Sequence, residues 1–145
     1  MAEPFIKTMR ITCSIEHAFT TFTQQINLWW PPNHRKFEGS TIKLETHIGG
    51  SFYEVAPDGQ QAILGEVLSL NPPFDITYTW NPGKITKPTQ VTISFTQDDD
   101  ETIMQVTHIE ADSALGDKWP QRLTLFTRGW QAVFTAYADF IKTNL

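Results

Sequence analysis

Apolar and polar residues alternate in steps of two through much of the chain, then in steps of three and four along its last part. Phe5, Met9, Ile11 and Cys13 alternate with Ile6, Thr8, Arg10 and Thr12, which predicts a first strand with one apolar face. Ser14 is placed to cap a short helix over 15–26, where Ile15, Ala18, Phe19, Phe22 and Ile26 fall at helical spacing. Leu28-Trp29-Trp30 reads as a further helical turn, stopped by Pro31-Pro32, and the two tryptophans as a lid over the edge of the core. Strands are then expected over 41–46, 51–56, 61–70 and 75–80, separated by Gly49-Gly50, Pro57-Asp58-Gly59 and Asn71-Pro72-Pro73. Gly65 interrupts the third of these, where a bulge or the close approach of another backbone is expected. After a Pro/Gly-rich connection over 81–88, Thr89, Val91, Ile93 and Phe95 alternate, and Thr102, Met104, Val106 and His108 do so beyond an acidic tip at Asp98-Asp99-Asp100.

A loop over 110–118 leads into the longest element. Leu123, Phe126, Trp130, Val133, Phe134, Tyr137, Phe140 and Ile141 form one stripe, with Thr124, Thr127, Gln131, Thr135, Asp139 and Lys142 opposite. Asp117 or a neighbour can cap the start, and Pro120 is tolerated in the first turn. Hairpin-length connections require an antiparallel sheet. Six to seven twisted strands curl, and a sheet curled around one long helix leaves a hollow between them. The predicted class is therefore α+β: a curved antiparallel sheet gripping a long C-terminal helix, with two short helices after the first strand, as one domain over 1–145.

Composition narrows the function. A net charge of -5 and the absence of a basic patch argue against nucleic acid as a partner. No run approaches the eighteen or so apolar residues that a membrane span requires, so membrane insertion is not expected and the chain reads as cytoplasmic. A single cysteine, Cys13, cannot form an internal disulfide and reads as a buried thiol. The histidines (His17, His34, His47 and His108) are scattered without metal-ligand spacing, and no phosphate loop, dinucleotide fingerprint or nucleophile elbow occurs. No metal and no cofactor are expected.

The order Trp29-Trp30-Pro31, Gly49-Gly50-Ser51-Phe52-Tyr53-Glu54, Gly65-Glu66-Val67, Pro72-Pro73, Tyr78-Thr79-Trp80, Thr89-Gln90-Val91, residues 102–108 and Gly129-Trp130 resembles an activator-of-heat-shock-ATPase homologue domain. That family belongs to the START-like, helix-grip superfamily, alongside polyketide cyclases and the birch-pollen allergen fold. The resemblance spans roughly residues 7–141 and implies an apolar cavity between sheet and helix. The superfamily hosts lipid carriers, cyclases, hydroxylase domains and co-chaperones, so the fold alone does not choose a function.

Two residues stand out on the helix-facing side of the sheet, because a carboxylate and an imidazole on an apolar face need partners. Glu54 and His108 are candidate polar anchors for a ligand's hydroxyl, carbonyl or amine, or groups satisfied locally. With Trp30, Tyr78, Trp80, Val91, Ile93, Trp130, Phe134 and Tyr137 they make the expected ligand site. The expected partner is a small apolar or aromatic molecule. The alternatives are a chaperone-associated or stress-related interaction module, and a cyclase-like enzyme using Glu54 and His108 as its acid/base pair.

Overall fold

Seven antiparallel strands form one curled sheet in the computed structural model, which describes residues 4–81, 88–111 and 119–143. Strand β1 (Phe5–Ile11) leads into helices α1 (Ile15–Thr23) and α2 (Ile26–Trp29) and a 3-10 turn at Pro32–His34. Then follow β2 (Thr41–Leu44), β3 (Ser51–Val55), β4 (Gln61–Asn71), β5 (Asp75–Trp80), β6 (Thr89–Asp98), β7 (Glu101–Ile109) and the long helix α3 (Trp119–Thr143). The strand order is β1-β7-β6-β5-β4-β3-β2, so the meander runs from one edge and ends against β1. This is the α+β, helix-grip arrangement expected from the alternation. The expected cap at Asp117, the Leu123 side chain and most of the connections over 81–88 and 110–118 lie outside the described residues.

The period-two pattern decides which face is buried. Val91 lies opposite His108, Ile93 opposite Val106 and Phe95 opposite Met104, and all six are buried. A one-residue slip would turn every one of them to solvent, so the hydrophobic pattern holds the register. Two irregularities in β4 bend the sheet. Phe52 pairs with Gly65 while Tyr53 pairs with Ile63, which leaves Leu64 as an extra residue, and the pairing with β5 shifts again between Val67 and Ser69. Such bulges sharpen the local twist. At the first, Gly65 is required: a Cβ there would collide with the Thr79 carbonyl, so both expected features occur together.

The expected helix over 15–26 is broken. Gln25 leaves the helical region, with φ -102° and ψ 17°, and Ile26 opens α2 as a separate turn. Inside α1, the Thr23 hydroxyl donates back to the Phe19 carbonyl at 2.8 Å, a bond that weakens a helix's last turn. The break seats both tryptophans. Trp29 donates its indole N–H to the Thr21 carbonyl and packs on Phe22 and Tyr137, while Trp30 turns toward Phe52 and Trp80. The expected strand over 41–46 stops at Leu44, where the Glu45 carboxylate accepts from the Ser51 N–H at 2.7 Å and turns the chain.

Helix α3 has 25 residues and is about 37 Å long at 1.5 Å per residue. It does not bury its apolar stripe evenly. Trp130, Val133, Phe134, Tyr137 and Ile141 are buried, whereas Phe126 is half-buried and Leu125 is 55% exposed. The C-terminal part is clamped by α1 as well, through the Tyr137 hydroxyl, which donates to the Ala18 carbonyl at 2.6 Å. Nearer its N-terminus α3 meets the sheet through Phe126 and Trp130, which pack against His108.

Candidate ligand cavity

Beneath this part of α3 lies a cavity of about 200 Å³. Trp30, Tyr78, Trp80 and His108 line it from the α2 end and the sheet. Phe126, Gly129, Trp130 and Val133 close it from α3, with Leu125 on the same helix and His34 beside the lid. Of the residues expected from sequence, Trp30, Tyr78, Trp80, His108 and Trp130 come together here. Val91, Ile93, Phe134 and Tyr137 do not, because they are packed solid in the neighbouring core, at 0–3% exposure.

His108 has both ring nitrogens engaged. The Trp130 indole N–H donates to Nδ1 at 3.1 Å. Nδ1 therefore carries no proton, and Nε2–H donates to the Thr89 hydroxyl at 2.7 Å. That hydroxyl passes its own proton to the Trp80 carbonyl at 3.1 Å. The chain of donors has one consistent direction, which fixes the tautomer. Burial pushes His108 down to about 4, so the ring is neutral near neutral pH. Phe126 stacks over it with ring centroids 4.1 Å apart.

Glu54 lies outside the lining. It is 1% exposed, and its oxygens accept from the backbone N–H groups of Lys36 at 2.9 Å and Phe37 at 2.7 Å. Burial pushes this carboxyl up, but the Lys36 and Phe37 N–H groups and the Arg35 guanidinium hold it below the usual carboxylate range. Its work is to hold the chain after the Pro32–His34 turn. Arg35 holds the other side, donating to Asn27 Oδ1 and the Asn27, Trp30 and Ser40 carbonyls at 2.7–3.0 Å. These two residues fix Trp30 and His34 at the cavity. Glu54 and His108 thus do not meet as an acid/base pair.

A further polar group belongs to Tyr78. Its side chain is fully buried and its hydroxyl has no hydrogen-bond partner among the described residues. Burial holds the phenol in its protonated form. Three lining residues are ones that the sequence pattern does not reveal. Leu125 lies off the helical stripe, His34 ends the 3-10 turn, and Gly129 has no side chain to mark it. Among the described residues, a Cβ at Gly129 would meet only His34 Nε2, at an ordinary 3.6 Å. Gly129 leaves room in the cavity.

A curled antiparallel sheet around a C-terminal helix, hollow at one end, defines the helix-grip class. Within it, the family described as Activator of Hsp90 ATPase homolog 1-like protein matches residues 12–141, and the chain belongs to that family. Proteins of this fold commonly hold hydrophobic ligands. No curated protein matches the sequence. Among solved structures, protein MLL2253 from Mesorhizobium loti is similar over 97% of this chain and 98% of its own, with a TM-score of 0.71 and 17% identity. Protein NE0264 from Nitrosomonas europaea is similar over 97% and 95%, with a TM-score of 0.68 and 14% identity. The anthrahydroquino-gamma-pyrone synthase Txn09, in complex with SUM, is similar over 95% and 96%, with a TM-score of 0.62 and 21% identity. Likeness at these identities carries the fold.

Proposed function

We propose that this protein binds a small, flat, hydrophobic or aromatic molecule in the cavity between the curled sheet and the N-terminal part of α3. The observation that carries the reading is a walled hollow between the sheet and the Phe126–Val133 part of α3. Its walls are aromatic: Trp30 and Trp80 lie 6.1 Å apart, with Trp130 and Phe126 facing them from the helix. Small-molecule sites are built this way, mostly apolar with few polar groups to set orientation. A volume of about 200 Å³ exceeds the roughly 150 Å³ that accommodates benzene and falls short of the 300 Å³ or more usual for drug-sized ligands. One or two fused rings fit. That a structural neighbour is named an anthrahydroquino-gamma-pyrone synthase supports the aromatic class.

Calorimetric titration with 2-naphthol tests this. The expected dissociation constant is about micromolar, or about -8 kcal/mol, within reach of one buried ring system. Val133→Phe fills the cavity from α3, so it should abolish the heat of binding while leaving the protein folded. Equal binding by the wild type and Val133→Phe would remove the cavity as the site. Absence of binding by any flat apolar compound, with retention of a purified Hsp90-type chaperone, would favour the protein-interaction alternative.

A further inference from the structure

Tyr78, one of the residues lining the cavity, carries a hydroxyl with no hydrogen-bond partner among the described residues. The buried hydroxyls of Thr23, Thr89 and Thr102 and the phenol of Tyr137 all donate to backbone carbonyls. Tyr78, equally buried and packed edge-on to Phe52 at 5.2 Å, has no partner among the described residues. A buried polar group without a partner is destabilising, and phenylalanine would fill the same space without that loss. Tyr78 differs from the satisfied hydroxyls in one further respect: it lines the cavity. A phenol is a good donor, and burial keeps its proton in place. The lining contains no Asp, Glu, Lys or Arg among the described residues, both nitrogens of His108 are committed to Trp130 and Thr89, and burial lowers His34, which favours its neutral form. An ionised ligand would lose its hydration with no counter-charge to replace it.

We infer that the ligand is a neutral one- or two-ring aromatic compound whose carbonyl oxygen accepts a hydrogen bond from the Tyr78 hydroxyl. This rests on the reading of the cavity as a ligand site and adds the ligand's chemical class. The carbonyl supplies the acceptor that the fold withholds, and the rings lie against Trp30, Trp80 and Phe126.

The test compares 1-indanone with indane, which has the same rings and no carbonyl, in the wild type and in Tyr78→Phe. Because the hydroxyl makes no hydrogen bond among the described residues, Tyr78→Phe should fold with an equal or higher Tm. It should weaken 1-indanone about tenfold, the usual worth of one buried hydrogen bond, and leave indane unchanged. Benzoate should not compete near neutral pH. If both ring compounds bind and Tyr78→Phe alters neither, Tyr78 is not the anchor, while the cavity remains a ligand site. If neither binds the wild type, the cavity reading falls and this inference falls with it. Benzoate competing as well as 1-indanone would overturn the neutral class. A marked drop in Tm in Tyr78→Phe would show that the hydroxyl serves the fold.

Discussion

The indole N–H of Trp130 on α3 donates to Nδ1 of His108 on β7 at 3.1 Å, and this bond ties helix to sheet at the wall of the cavity. Because Nδ1 is an acceptor, the imidazole must present Nε2–H to Thr89, and Thr89 must present its own proton to Trp80. The helix thereby sets the polarity of a chain that ends on β5.

Thr89→Val tests that chain with little change of shape. It leaves Nε2–H of His108 and the Trp80 carbonyl without the hydroxyl between them. The expected loss is about 1–3 kcal/mol of stability, seen as a lower denaturant midpoint at unchanged slope. A midpoint equal to that of the wild type would mean that the hydroxyl contributes nothing.

Stability should fall in acid before the carboxylates titrate. Burial lowers the folded-state value of His108 from 6.5 to about 4, so the unfolded chain binds a proton that the folded chain does not. The contribution is complete above about 6.5 and is lost as the pH falls toward about 4. Its size is about 3 kcal/mol at most. His34, whose value is also lowered by burial, acts in the same direction. Glu54, whose folded-state value is depressed, adds its loss only below its ordinary value of 4.5. Urea unfolding across this range should show the slope, and His108→Gln should flatten the upper part. A flat profile between 6.5 and 4.5 would contradict the burial assigned to His108.

Glu54→Gln should act on stability rather than on the ligand. The amide keeps one acceptor but turns a donor toward a second buried backbone N–H. A loss of about 1–3 kcal/mol is expected, with affinity for 1-indanone changed only slightly. Weaker ligand binding at full stability would return Glu54 to the cavity.

Gly129→Ala should stabilise the protein by up to about 1 kcal/mol, the usual gain from replacing glycine within a helix. The new methyl meets only His34 Nε2 at van der Waals distance, but it projects into the cavity. Thermal unfolding should therefore show a higher Tm, and two-ring ligands should lose affinity more than one-ring ligands. A lower Tm would show that the helix packs more tightly at this glycine than its surroundings indicate.

The strands and the long helix were legible because each announces itself locally, by period two or by steps of three and four. Gly65 was legible for the same reason: a glycine within a strand signals crowding, and the Thr79 backbone supplies it. Glu54 and His108 stood out as polar residues on an apolar face, but their partners did not. Glu54 is satisfied by Lys36 and Phe37, and His108 by Thr89 and Trp130, across connections that no periodicity describes. The place of the cavity was equally hidden. It depends on how the Phe126–Val133 part of α3 meets Trp30, Tyr78 and Trp80, and the spacing of the stripe from Phe126 to Ile141 does not carry that.

The most direct test of the ligand-binding account is a nitrogen-edited NMR titration with 2-naphthol, read at the tryptophan indole N–H groups. The Trp30, Trp80 and Trp130 resonances should shift together and saturate along one binding curve. Trp29, whose N–H is held by the Thr21 carbonyl in the solid core, should move least. If the three cavity tryptophans stay still while 2-naphthol is present in large excess, or shift no more than Trp29, the cavity is not a binding site.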